Sequence, residues 1–493
     1  MDAPAPDAVA TGVSAIMLNP WQFRLTHRPH AGAQPLGRFW LSLGPDLPLT
    51  VVTDGEGRDA GVLLGFPIDL DRQCLIGPTW VAPVDADLTS DKGVCRTLLA
   101  LGGRFVWICL TDTMARIYPD AATQVSVVWD RESQSAGTTA AAILDDTAYA
   151  ARFDHATFAT LRLDGGDWFP AGLTAHSGVS RLLPNHYLDL CDWQARRFDM
   201  MPEVAAGPDP ATCVDEVIAT VQAQIAALLS GPRQVAFGLT AGHETRTLLA
   251  CARAATDRIT FVTVTGTGRQ KTDTLVARRL ASAFSLHHRE LPRRSADDSA
   301  QRIYLRRSGH CVGDTNLRYH PSIAPLAPDH VLVGGVGGEV ARAFYHHDSD
   351  TPATPLDARG LLARMGLRGN DKMVRHMRFW LDGLAGASVE QVLDLLYLEN
   401  RLGPWAMAQF CAYPTIPRFA PFVTYRSVCQ MRALPWAWKR SNRLNHEIVA
   451  RLWPELLDHP YNTLGPLRDA AGQVRQLVSD PAILARKIRQ RRA

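Results

Sequence analysis

Cysteine is thinly and singly distributed in this sequence. Its nine cysteines form no C-x-x-C pair and no ligand-like Cys/His spacing. That argues against a structural zinc site or a disulfide framework, and for a reducing, cytoplasmic setting. One-sided charge is lacking as well: a net charge of +3 with 20% charged residues is too small to imply a nucleic-acid partner. The one basic cluster, Arg486, Lys487, Arg489, Arg491 and Arg492, reads as a solvated helix end or frayed tail. Long apolar runs are missing too. Even residues 98–110 are interrupted by Gly102, Gly103 and Arg104, so no membrane partner is expected. The opening MDAPAPDAVATGV has acids and prolines but no basic stretch, and does not read as a signal peptide.

What is present is a globular balance, with 46% apolar residues in a chain of 493, enough for about two or three cores. Residues 1–15 are small and Pro-rich and are expected to be a disordered tail. From 16 to 200, short apolar runs separated by Gly, Pro and Asp predict strands at 49–52, 61–66, 104–110, 125–129 and 186–190. Helices are expected at 91–101 and 148–159, giving an α+β domain in which strands dominate. Prolines and a glycine in 201–212 suit a linker. Val214, Val217, Ile218, Val221, Ile225 and Leu228 then share one helix face. Strands at 234–239, 259–264, 288–291 and 330–333 alternate with helices near 245–254, 272–284 and 297–307. This predicts an α/β domain, residues 213–480, around a parallel sheet that binds ligands at the carboxyl ends of its strands. Its last part, beyond Tyr345, is mostly helical, with 389–401 and 443–457 the clearest pieces. Residues 481–493 form a basic tail.

Two loops carry the functional expectation. Residues 234–251, QVAFGLTAGHETRTLLAC, run from an apolar strand through a small-residue turn into a helix. Such a helix start offers backbone N–H groups at the positive end of a dipole, a seat for phosphate. Residues 334–345, GGVGGEVARAFY, follow the apolar run Val331-Leu332-Val333 with four glycines in five residues, which lets the backbone approach a ligand closely. Each loop holds one acid, Glu244 and Glu339. Two carboxylates beside a phosphate seat repel unless a cation joins them, and Mg²⁺ bridging them to a polyphosphate supplies one.

With these residues in view, the first loop resembles the pyrophosphate loop Ser-Gly-Gly-x-Asp-Ser of the N-type ATP pyrophosphatases, as found in asparagine synthetases. Here it stands as Thr240-Ala241-Gly242-His243-Glu244-Thr245, followed by Arg246. The second loop, Gly335-Val336-Gly337-Gly338-Glu339-Val340, is similar to that family's Gly-x-Gly-x-Asp-Glu signature. Asp273, opening the helix after the second strand, and the later Tyr397-Leu398-Glu399-Asn400-Arg401 and Pro421-Phe422 also fit. Gly103-Arg104-Phe105-Val106, Pro119-Asp120 and the run Val179 through Leu188 look like the glutaminase domain that precedes the synthetase domain. The resemblance implies an N-terminal Ntn-hydrolase-like domain, degenerate and of the class II glutamine amidotransferase kind. A HUP-type (adenine nucleotide alpha hydrolase-like) α/β domain would follow.

The resemblance also implies a reaction: adenylation of a carboxylic acid by ATP with release of pyrophosphate, then attack by an amine. It implies ATP and Mg²⁺, small-molecule acid and amine substrates, and a possible homodimer. Leu239, Thr240, Ala241, Gly242, Thr245 and Arg246 would hold phosphates, Thr263-Val264-Thr265 would pass under the adenosine, and Gly335, Gly337 and Gly338 would line the site. Glu244 and Glu339 would ligate the metal, and Lys439 or Arg443 would meet the departing phosphate. Three departures stand against the family pattern. No cysteine precedes Cys74, so the glutaminase nucleophile is missing and the first domain is either structural or a binder in the old pocket. Both metal-binding aspartates are glutamates and the loop serine is Thr245. The late lysine has no secure equivalent. An alternative reading is therefore a catalytically degenerate homologue that binds a nucleotide or a partner.

Overall fold

Strands that send alternate side chains into two different cores build the N-terminal half. In the computed structural model, which describes residues 16–83, 86–162, 166–198, 209–267, 269–311, 314–410 and 413–463, two sheets pack face to face. The first runs in the order Val179–Arg181, Val128–Asp130, Ser135–Gly137, Phe23–Thr26, Phe39–Leu43, Gln34–Leu36. The second runs Gln194–Arg197, His186–Asp189, Ala115–Pro119, Leu101–Leu110, Asp59–Asp69, Leu49–Thr53, Thr79–Val81, with Cys74–Leu75 paired beside Asp59–Asp69. Side chains alternate across each strand. Val62, Leu64, Val106 and Ile108 therefore meet Phe23, Leu25, Phe39 and Leu41 between the sheets. Their neighbours Leu63, Phe105 and Trp107 face the other way, into a larger core shared with the rest of the chain.

That larger core is reached through the helix Pro210–Leu229. It starts inside the stretch expected to be a linker, because Asp209 accepts from Ala211 N (3.3 Å) and Pro210 costs no hydrogen bond in a first turn. Among the described residues it is the one helix long and apolar enough to cross a membrane, yet its apolar residues are spent inside the core. Its buried Gln224 accepts from Gly103 N (3.1 Å) and donates to Pro421 O (2.6 Å), fastening the first half of the chain to the second. The tail 1–15, residues 201–208 of the expected linker, and the chain from 464 on, with the basic tail 481–493, lie outside the described residues.

The second half contains a five-stranded parallel sheet in the order His288–Leu291, Ile259–Val264, Gln234–Gly238, His330–Val333, Arg418–Phe419. Three of the four expected strands have the expected bounds; the first ends one residue earlier, at Gly238. Three expected helices are each broken in two, 443–457 at Trp453 into Arg443–Leu452 and Pro454–Asp458. Asp145 and Asp154 both cap new starts, so 148–159 becomes Asp146–Ala151 and His155–Phe158. Residues 389–401 become an α-helix, Val389–Leu395, that widens into a π-helix over Leu396–Leu402. The protein is thus a mixed fold, α+β in its first half and α/β with a parallel sheet and a helical last part in its second.

Candidate active site

The central strand Gln234–Gly238 and its neighbour His330–Val333 are parallel and in register, Phe237 opposite Val333. The loops that leave their carboxyl ends must therefore lie side by side. The first loop enters the helix His243–Cys251 through Gly242, an N-cap with no side-chain hydrogen bond to the first turn. That leaves first-turn N–H groups without the usual side-chain acceptor. Ala241 adopts no positive φ, so alanine fits where the family pattern has glycine.

The loop is tied internally. Thr240 Oγ1 lies 2.8 Å from Thr245 Oγ1 and accepts from Gly242 N (3.1 Å). Ala241 N donates to Asp273 Oδ1 (2.9 Å), which gives the acid of the next helix a positioning task. Leu239 N donates to Val262 O (2.8 Å), and Thr263 Oγ1 returns a bond to Leu239 O (2.6 Å), so Leu239 and Thr263 hold the turn on the neighbouring strand. Val264 and Thr265 follow at the strand end, half-buried, with Thr265 N donating to Leu291 O (2.9 Å).

Two glycines of the second loop pack against Glu244. A Cβ on Gly335 would lie 2.5 Å from Glu244 Cβ, and one on Gly338 would lie 2.7 Å from Glu244 Cγ. A side chain at either position would therefore collide with Glu244. Gly337 holds a left-handed φ of +93°, which favours glycine at that turn. Gly334 alone faces open space.

Through this close packing Glu244 and Glu339 converge on one guanidinium. Arg342 Nη2 stands 2.6 Å from Glu244 Oε1 and 3.5 Å from Glu339 Oε1. The 2.6 Å contact is an ion pair without the alignment of a hydrogen bond, since Glu244 Oε1 is buried with no hydrogen-bond partner. Glu339 accepts from Gly337 N (3.2 Å). Its pKa is pushed up to about 7, first by burial and then by the Glu244 charge, with Arg342 opposing both. Tyr397 is raised well above its ordinary value by burial and then by the Glu339 charge.

The donor set suits a divalent ion held partly by a ligand. Two carboxylates converge, one with an orphaned buried oxygen, and Mg²⁺ is commonly bound by one or two carboxylates plus substrate phosphates. No group of three or more His, Cys, Asp or Glu is placed for a metal among the described residues, so phosphate oxygens or water would have to complete the shell.

Three expected site residues have other partners. Arg246 does not face the loop acids: its guanidinium is buried and donates to the carbonyls of Leu456 (3.2 Å), His459 (2.7 Å) and Pro460 (3.1 Å). Residues two apart on a helix point about 200° apart, so Glu244 and Arg246 serve opposite sides. Lys439 is buried and committed to Asp394 Oδ2 (2.5 Å) and Arg432 O (2.7 Å). Burial pushes the Asp394 carboxyl up, but Lys439 and His346 outweigh it and hold the pKa below the ordinary value. Arg443 is a surface cation, paired with Glu447 (3.2 Å) and lying over Trp438 (4.4 Å). The cation at the acids is Arg342, which a sequence reading passes over because a single arginine in a glycine-rich loop belongs to no motif.

No protein-family model matches the chain, and no curated protein matches it. The chain has weak structural similarity, over part of its length, to NMN and NAD synthetases. An NMN synthetase from Francisella tularensis is 12% identical, with 38% of this chain and 85% of that one covered, at a TM-score of 0.19. An NH3-dependent NAD synthetase from Campylobacter jejuni is 12% identical over 41% and 94%, at 0.20. A NAD+ synthetase from Burkholderia pseudomallei is 15% identical over 50% and 88%, at 0.17. Overlaps this loose carry no residue role to this chain.

Proposed function

We propose that the protein is an ATP-dependent carbon–nitrogen ligase of the asparagine synthetase-like kind, joining a small carboxylic acid to an amine. One observation carries the reading. Two loops at the carboxyl ends of adjacent parallel strands bring Glu244 and Glu339 onto one cation, Arg342, beside a helix start without a side-chain cap. In the proposed reaction a substrate carboxylate oxygen bonds to the α-phosphorus of ATP as the α–β anhydride breaks and pyrophosphate leaves. An amine nitrogen then attacks the acyl carbon, AMP departs, and the nitrogen loses a proton.

The chain's own part is positioning and charge. First-turn N–H groups of His243–Cys251, with the Thr240 and Thr245 hydroxyls, would receive phosphate oxygens. Asp273, through Ala241 N, and Thr263, through Leu239 O, keep the turn in place. Glu244 and Glu339 would hold Mg²⁺, which when bound neutralises phosphate charge. Thr263-Val264-Thr265 would border the adenosine.

ATP–pyrophosphate exchange across a panel of carboxylic acids tests this. Exchange is expected with at least one acid, and Glu244→Ala is expected to lower it by about a hundredfold or more, as for removal of a transition-state charge partner. A second reading, a nucleotide- or partner-binding homologue without turnover, is favoured by the guanidinium already seated between the acids. Tight ATP binding with no exchange for any acid would select it.

A further inference from the structure

We propose that Arg342 is the resident counter-ion of the acid pair, a positioning residue that a metal–polyphosphate must displace from the carboxylates and that then pairs with the phosphates. The inference rests on reading this cleft as a metal–nucleotide site.

Four observations lead to it. Arg342 closes the short 3₁₀ turn Gly338–Ala341 that carries Glu339, with its backbone N donating to Glu339 O (3.0 Å), so the residue is anchored at the acids. Its side chain is 29% exposed, unlike the guanidinium of Arg246, so one side faces solvent. One nitrogen, Nη2, serves both acids, at 2.6 and 3.5 Å. Nε, meanwhile, is buried and makes no hydrogen bond. A guanidinium built as a permanent tie would be expected to engage carboxylates in bidentate fashion. Arg197 does this with Glu399, through Nε (3.2 Å) and Nη2 (2.8 Å). Arg342 instead spends a single corner on two acids and keeps a donor in reserve.

Charge balance gives that arrangement a use. Two carboxylates and one guanidinium sum to a single negative charge. A divalent ion entering beside Arg342 meets a cation at short range, and one arriving with a polyphosphate brings the anion that the released guanidinium can bind. The metal alone is thereby disfavoured and the metal–polyphosphate favoured, which deepens the substrate reading to polyphosphate-bound metal over free metal.

The test uses full-length protein, with Mn²⁺ as the metal probe followed by electron paramagnetic resonance above neutral pH. ATP binding in the presence of Mg²⁺ is followed by calorimetry. Arg342→Gln is expected to bind Mn²⁺ alone about tenfold more tightly, because a nearby positive charge is gone. The same variant is expected to bind ATP about tenfold more weakly, because a charged phosphate partner is gone. Arg342→Lys is expected to return both values toward wild type. A merely structural role would weaken both, or neither, and an unchanged or weaker Mn²⁺ affinity overturns the proposal. Arg342→Met keeps the apolar stem and replaces the glutamine variant if that one does not fold. If Mn²⁺ tightens while neither protein binds ATP, the counter-ion stands and the nucleotide reading falls. If wild type binds ATP and Arg342→Gln alters neither affinity, the nucleotide reading stands and the counter-ion falls.

Discussion

Glu339 shows how the site sets the cost of its own charges. Its ordinary carboxyl value of 4.5 is raised to about 7 in the fold, by burial first and then by Glu244. An acid whose folded pKa lies above its unfolded one favours the fold in its protonated form. Its contribution is complete below pH 4.5 and is lost as pH rises through about 7. Glu339→Gln removes the titration while keeping the shape, so between those limits the variant's stability is expected to fall less steeply with rising pH than wild type. Urea midpoints measured across that range check it, and parallel curves would contradict the assignment. At this scale the sequence was partly legible. Glu244 and Glu339 stand out because each follows an apolar strand by a few residues, and neighbouring parallel strands deliver such residues to one edge. Arg342 and Arg246 do not stand out, since the direction of a side chain depends on where its helix or turn starts.

At the scale of elements, the first loop is held from behind by a strap. After the short helix Pro454–Asp458 the chain passes over the loop helix, where Tyr461 stacks on His243 (4.3 Å, 7° between planes) and lies 4.1 Å under the Arg246 guanidinium. Asn462 N then donates to Ala241 O (2.8 Å) in the loop itself. The strap thus fixes the turn that would receive phosphate. Tyr461→Ala removes one stack and one cation–π contact, and is expected to cost about 1–2 kcal/mol of stability. It should also weaken ATP binding at temperatures where the variant is fully folded. Denaturant midpoints and calorimetric affinities measured together check both parts; a stability loss with unchanged affinity would confine the strap to a structural task. None of this was legible in the sequence, because Arg246 and Tyr461 lie far apart along the chain. The π-helix was equally hidden, since Leu395, Leu396, Tyr397 and Leu398 are all apolar and set no period. The widened turn nonetheless matters: Tyr397 comes under the Glu339 charge while Glu399, fully buried, takes Arg197 and Trp380 from other elements.

Across the whole molecule, Glu399 belongs to a seam joining the two halves. Asn400 accepts there from Ala171 N (2.7 Å) through its side chain and from Trp168 Nε1 through its carbonyl. A second part of the seam is aromatic. His176 and His310 lie with ring centroids 6.3 Å apart among Phe153, Phe158 and Tyr149, and Tyr149 Oη is 3.1 Å from His310 Nε2. Burial lowers His176 to about 3, helped by the charges of His310, Arg152 and Arg306, and lowers His310 to about 4, helped by Arg306. Both histidines are thus neutral in the fold well below their ordinary 6.5. A base whose folded pKa is depressed stabilises the fold above its unfolded value, and that stability drains away as pH falls from 6.5 toward 4. Glu339 acts in the opposite sense over part of the same range, so the seam is best measured in the Glu339→Gln background. There His310→Phe is expected to flatten the acid limb of stability, since a ring of similar shape stays and one proton-binding site goes. Urea midpoints between neutral pH and the onset of acid unfolding report this. An acid limb as steep as that of the parent protein would mean that protonation of this histidine does not open the seam.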